Sequence, residues 1–180
     1  MGSLQGHLLI AGPDLWDPNF RRAIVLIGHH DDEGAVGVVL NRASEVPVDD
    51  AVPPLADLVQ PGEPLFLGGP VQPDAAVVLA DFEDPERADV LAFGSIGFLA
   101  GEVDTEEIGS IRQARVYAGY AGWGPGQLEA EMEEGSWILE PALPGDVFTP
   151  TPESLWEAVL RRKGPSFQVL STMPADPSTN

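Results

Sequence analysis

The densest run of groups able to do chemistry is His29-His30-Asp31-Asp32-Glu33, two imidazoles followed by three carboxylates. These are suitable donors for a divalent cation. Their spacing works against a metal site, because neighbours on a strand point to opposite faces and neither an HxH nor an HExxH pattern is present. The alternative is a solvated hairpin turn, and the sequence implies no metal and no cofactor. A second set is dispersed: Asp17, Arg21, Arg22, His30 and Arg42 each lie at the end of an expected strand or in its adjoining loop. Brought together they would form an anion or acid/base site. Kept apart they are structural ion pairs that fix loops. A hydrolase-like reaction using Asp17, His30 and Arg42 requires them within about 3 Å of one another or bridged by a water.

Other catalytic signals fail on spacing. The chain has no cysteine, which removes disulfides, thiolate metal sites and a cysteine nucleophile. Ser95, in Gly94-Ser95-Ile96-Gly97, misses the G-x-S-x-G elbow and reads as a strand-end serine. The glycine-rich stretches at 68–70 and 122–126 fit neither a Walker loop nor G-x-G-x-x-G, and Lys163 is the only lysine. Tyr117, Tyr120 and Trp123, beside Gly119 and Gly122, either pack in a core or line a ligand slot.

The elements that must position these groups are short. Residues 7–11 (HLLIA), 23–28 (AIVLIG) and 35–41 (AVGVVLN) are apolar runs expected of strands buried on both faces, the last two forming a hairpin around a turn at 29–34. Further strands are expected at 65–67, 75–79, 90–93, 115–121 and 136–139. Short helices are expected near 55–59, over 104–111 and over 127–134. The clearest helix follows Thr151, a candidate N-cap, and Pro152. Leu155, Trp156, Val159 and Leu160 form its apolar stripe, Arg161-Arg162-Lys163 its last turn, and Gly164-Pro165 its end. Residues 173–180 read as a loose tail. The organisation expected is one domain over 1–165 and a C-terminal extension over 166–180, partly flexible.

Charge excludes more than it assigns. Twenty-nine acidic and nine basic residues give a formal charge of −20, which repels phosphate backbones and disfavours direct nucleic-acid binding. No stretch approaches the ~20 apolar residues of a membrane span. With no leader pattern at the start, a cytoplasmic location without membrane contact is expected.

In chain order, HLLIA (7–11), DPNF (17–20), GAVGVVLNR (34–42), GGPV (68–71) and GYAGWGPGQLE (119–129) resemble the AlgH/YqgE family of bacterial proteins, from about Leu4 to Trp137. The resemblance implies an α+β fold: a bent mixed, largely antiparallel sheet forming a pseudo-barrel with a few short flanking helices. Some members of that family carry the label of transcriptional regulator, and the resemblance brings no established catalytic residues. Three readings follow. One is a non-enzymatic binding or regulatory module with a protein or small-molecule partner, its groove drawn from Asp17, Asn19, Phe20, Arg21, Asn41, Arg42, Gly69, Tyr120, Trp123 and Gln127, with any effect on transcription indirect. A second is the hydrolase-like enzyme. The third, direct DNA binding, ranks lowest because no helix-turn-helix signature accompanies the acidic charge.

Overall fold

The computed structural model describes residues 2–15, 17–100 and 109–172. Three apolar runs form β1 (His7–Ala11), β2 (Ile24–Asp31) and β3 (Gly34–Val39). There follow β4 (Ala43–Pro47), α1 (Val48–Ala51), a 3-10 turn at Pro53–Leu58, β5 (Pro64–Leu67), β6 (Val71–Phe82), β7 (Val90–Phe93) and β8 (Ile96–Ala100). The chain ends with β9 (Ile111–Trp123), α2 (Gln127–Glu133), β10 (Trp137–Pro141), α3 (Pro144–Val147), α4 (Leu155–Lys163) and α5 (Pro165–Gln168).

The strands join in the order β10-β1-β2-β3-β9-β6-β8-β7, with β4 on β5 and β5 on β9. Among the described residues the ladders are antiparallel except for β5 on β9. The sheet curls until its β7 end returns to the start of the chain: the Gln5 side-chain amide donates to the Leu91 carbonyl. No ladder joins β7 to β10 among the described residues. The fold is thus the α+β arrangement expected, a mostly antiparallel sheet with few short helices, curled but open.

Three apolar clusters occupy the two sides of this sheet. Inside the curl, Leu8, Ile10, Leu26, Val38, Phe66, Leu79, Phe98 and Tyr117 meet Leu155, Trp156, Val159 and Leu160 of α4. On the outer side, Leu9, Val25, Ile27, Val39, Trp123 and Trp137 pack with Leu128 of α2. Farther along, Val78, Ala80, Phe82, Leu99 and Val116 pack beneath Val48 of α1 and Leu55. The stripe on α4 is buried as its spacing predicts. The Trp156 indole N–H also donates to the Ala11 carbonyl at 2.9 Å, and Arg162 clamps buried Asp146 through two bonds of 2.7 and 2.9 Å.

Several elements differ from the sequence reading. β2 runs through His29 and His30 to Asp31, so the turn is confined to Asp32-Glu33. β4 and β8 were not expected, because their short mixed stretches lack a period. Thr151 precedes its helix but makes no side-chain cap; its N–H bonds the Thr149 hydroxyl instead. The helix expected over 104–111 falls mostly outside the described residues, and Ile111 opens β9. The expected tail at 173–180 also lies outside them. Of the helices described, none is long and apolar enough to cross a membrane.

The Tyr117 hydroxyl is buried with no hydrogen-bond partner among the described residues, and burial pushes its pKa above the ordinary value. An unsatisfied buried hydroxyl costs about 1–3 kcal/mol. Tyr117→Phe is therefore expected to raise stability by about 1 kcal/mol in urea unfolding; a loss of stability would show that the hydroxyl has a partner in solution.

Candidate functional site

An extra residue in β2 decides what the two histidines do. Ile27 pairs with Gly37 and His29 with Val36, so Gly28 has no opposite number and forms a bulge. Before it, Leu26 faces the inner core and Ile27 the outer one. After it the alternation is displaced: His29 reaches the inner side and His30 the outer. The Phe98 ring occupies the space beside Gly28, only 2.5 Å from where a Cβ would stand.

His30 is 8% exposed. Its Nδ1 accepts the Leu4 N–H at 2.9 Å, so the proton belongs on Nε2, which donates to the Glu129 carboxylate. With both ring nitrogens engaged, His30 has no lone pair free for a metal or for abstracting a proton. The small polar cleft above it, lined by Ser3, Asp31, Asp32 and Glu129, is the outer side of this anchor. His29 turns the other way and pairs with Asp31 at 2.8 Å. The hydrogen bond from His29 and the Glu33 N–H hold the Asp31 carboxyl below the usual range. Among the described residues no group of three or more His, Asp or Glu is arranged to hold a metal.

The other proposed catalytic groups lie at the far end of β2. Asn41 accepts the Ile24 N–H and donates to the Arg22 carbonyl, each at 2.9 Å. Arg42 donates to the Asn19 and Arg21 carbonyls. The Asp17 carbonyl accepts the Phe20 and Arg21 N–H groups, and its carboxylate accepts the Asn19 N–H. At about 3.3 Å of rise per residue, the six steps from Ile24 to His30 span roughly 20 Å. Asp17, His30 and Arg42 therefore do not form one constellation, which removes the geometry the hydrolase-like alternative required. Burial draws the Arg42 pKa down, against the pull of nearby Asp17. The group stays charged and works as a staple on the 17–22 loop. Arg22, at φ 54, is held over the Trp156 ring at 4.6 Å.

The residues expected to share one groove divide among three places. Asp17, Asn19, Arg21, Asn41 and Arg42 form the loop staple. Phe20 and Trp123 are packed inside, stacked at 6.2 Å, with Trp137 edge-on to both at 5.6 and 6.1 Å. Glu131 of α2 accepts both indole N–H groups, at 3.1 and 2.9 Å, and the Gln127 amide at 2.9 Å. Gly69 approaches the backbone of β9 so closely that a Cβ would stand 2.3 Å from the Tyr120 carbonyl. Of these residues, Tyr120 lines a cavity. Ser95 donates to the Asp81 carboxylate, which Arg112 also engages.

That space is a half-open cavity of about 620 Å³ inside the curl, near the β2–β3 hairpin. Val36, Val38, Ala76, Val77, Val90 and Phe98 give it an apolar wall, and His29, Gln72 and Tyr120 supply polar groups. Val36 is 43% exposed for lack of anything over it. Gln72 holds the left-handed φ of 45, a strained conformation for a residue with a side chain, on this wall. Sequence reasoning reached Tyr120 but missed the cavity. The signal available was Gly28 inside a strand pattern, which marks a bulge or a close approach.

Comparison with known proteins gives a consistent result. A family model described as AlgH-like matches residues 8–168. A UPF0301 protein of Streptomyces coelicolor is 46% identical over 189 residues, covering 100% of this chain and 97% of the relative. A UPF0301 protein of Mycobacterium tuberculosis is 41% identical over 181 residues, covering 97% and 90%. Among solved structures, a Corynebacterium diphtheriae protein superposes with a TM-score of 0.84 at 31% identity, covering 96% of this chain and 94% of that one. The AlgH protein of Pseudomonas aeruginosa does so at 0.71 and 29%, covering 96% and 95%.

Glu131 should matter to stability more than any residue of the proposed groove. Glu131→Ala leaves two indole N–H groups without their shared acceptor and is expected to cost about 2–4 kcal/mol, read by urea unfolding with a shift in tryptophan emission. A change below about 0.5 kcal/mol, the range of ordinary surface substitutions, would mean that water replaces the carboxylate freely.

Proposed function

The chain belongs to the AlgH-like family, and on that premise we propose that it is a non-enzymatic binding module whose ligand is a small apolar molecule held in the cavity beside the β2–β3 hairpin. The observation that carries this reading is the cavity itself. Its volume of about 620 Å³ lies within the roughly 300–1,000 Å³ of small-molecule sites, which combine apolar walls with a few convergent polar groups. A smooth protein-binding face would not need such depth.

Two further features favour binding over turnover. Asp17 and Arg42 lie at one end of β2, His30 lies at the other, and both ring nitrogens of His30 are already bonded. The described polar groups nearest the cavity are an amide, a phenol and an imidazole already paired with Asp31, none of them joined to a nucleophile. Any effect on transcription would run through the ligand or a partner protein. In the single basic cluster Arg162 is bound to Asp146 and Glu140, and Lys163 lies near Glu140 and over the Phe167 ring.

Nile red, a neutral apolar fluorophore, tests the site. Saturable enhancement of its emission by the wild-type protein is expected, and Val36→Trp, which puts an indole over an already exposed position, is expected to weaken it about tenfold or more. Absence of enhancement by a folded wild-type protein, or equal binding by the folded variant, would remove the cavity as the ligand site.

A further inference from the structure

Among the described residues, no aspartate, glutamate, lysine or arginine lines the cavity. His29, its one imidazole, is already bonded to the Asp31 carboxylate, so a proton it gains is balanced there. A carboxylate or an ammonium entering the cavity would give up hydration with no opposite charge to meet it, a strongly unfavourable exchange. A neutral oxygen is treated differently. Tyr120 and Gln72 line the cavity, and neither side chain has a hydrogen-bond partner among the described residues. The backbone brings these two together by an irregular route. Val71 lies opposite Tyr120 in the β6–β9 ladder, and pairing resumes only at Ala76 opposite Ala118, so residues 72–75 stand against Gly119 alone. Gln72 opens this excursion at φ 45, and Gly119 faces it at φ 73. With Val71 and Tyr120 paired, the Cα atoms of Gln72 and Tyr120 are within roughly 9 Å, inside the joint reach of the two side chains. A glycine would take the left-handed step at position 72 without strain; the amide is present there at a backbone cost.

Resting on the reading of this cavity as a small-molecule site, we propose that its ligand is uncharged, an apolar body bearing one oxygen acceptor of the ketone, ester or alcohol kind, and that Tyr120 and Gln72 select it. The apolar body lies against Val36, Val77 and Phe98 of the lining and supplies most of the affinity through buried area. The oxygen accepts from the Tyr120 hydroxyl and from the Gln72 amide N–H, two donors without charge. A carboxylate could accept from the same donors, but it would leave water for them with no cation beside it. An ammonium would find only the oxygens of the same two side chains, with no carboxylate beside it. Selection therefore works on two levels. The lining without Asp, Glu, Lys or Arg excludes ions, and the two donors separate an oxygen-bearing molecule from an apolar one of the same size.

Octan-2-one, octanoate, octylamine and 1-chlorooctane have chains of like length and differ at the polar end. Each is titrated at neutral pH against the intact protein by competition with Nile red, the affinity of the dye being measured for every variant. The ketone is expected to bind about tenfold or more tightly than either ion. Tyr120→Phe removes one hydroxyl, and Gln72→Met keeps the length of the side chain without its amide. Each is expected to weaken the ketone about two- to tenfold while leaving chlorooctane unchanged. Octanoate or octylamine binding as tightly as the ketone overturns the uncharged assignment. Indifference of the ketone to either substitution, or an equal loss for chlorooctane, overturns the selection by Tyr120 and Gln72. In all these cases, saturable Nile red binding that Val36→Trp weakens keeps the cavity a binding site. If Nile red and all four probes fail to bind the folded wild type, the binding-module reading falls first and this inference with it.

Discussion

A β-strand shows alternate side chains to alternate faces, and a single extra residue or one left-handed backbone step reverses everything beyond it. This molecule makes that reversal at two positions, and the candidate site depends on both. At Gly28 the bulge sends His29 inward and His30 outward. On β9, Tyr117 faces the inner core and Val116 the outer. Gly119 then adopts φ 73, and Tyr120 joins the inner side while Ala121 and Trp123 pack on the outer. Without the first reversal His30 would take the inner side in place of His29, and its bonds to Leu4 and Glu129 would be lost. Without the second, Tyr120 would leave the cavity and Trp123 would enter it.

The outer side is where polarity is used up. Glu131 gathers two indoles and the Gln127 amide, and Glu129 takes His30. The bonds to the two indoles and to His30 are charge-assisted and partly buried, the stronger class of hydrogen bond. Their effect is to fix α2 over Trp123 and Trp137 and to tie Leu4 to β2 through His30. The staple at Asn41 and Arg42 does the same for the 17–22 loop by filling backbone acceptors. Groups that look reactive in the sequence are thus committed to holding irregular backbone in place by satisfying its polar atoms.

The parts of this arrangement legible in the sequence are those with a period. The apolar runs of β1, β2 and β3 and the i, i+4 stripe of α4 declare themselves, and so does the strand-like Arg115–Ala121 core of β9. β4 and β8 do not, since Ala43–Pro47 and Ile96–Ala100 are too short and too mixed in polarity to separate from loop. Facing was harder than existence. Strict alternation correctly separates His29 from His30, yet which of them turns inward depends on a bulge whose only trace is one glycine. The grouping of Asp17 with His30 failed for a related reason: both adjoin β2, but strand length puts them at opposite ends, and nearness in sequence to the same element is not nearness in space. Trp123 is left open by the sequence between core packing and a ligand slot. It is 6% exposed, and the carboxylate that satisfies its indole lies on a separate element.

The same alternation explains why a cavity exists where a core would be expected. The inner face is built from large residues at Leu8, Ile10, Ile24, Leu26, Val38 and Leu79. Toward the hairpin the corresponding inner positions become small, with Gly28 on one side of the curl and Ala75 on the other. Leucines there would extend the core by a layer and add roughly 1.5–3 kcal/mol of burial each. Gly28 cannot be enlarged without moving the Phe98 ring, which lies 2.5 Å from where its Cβ would stand. The Phe98 ring therefore fixes the small residue at position 28. The apolar wall ends in Val36, with almost half its surface in water, and a small apolar molecule in the cavity would cover that surface and stabilise the folded state.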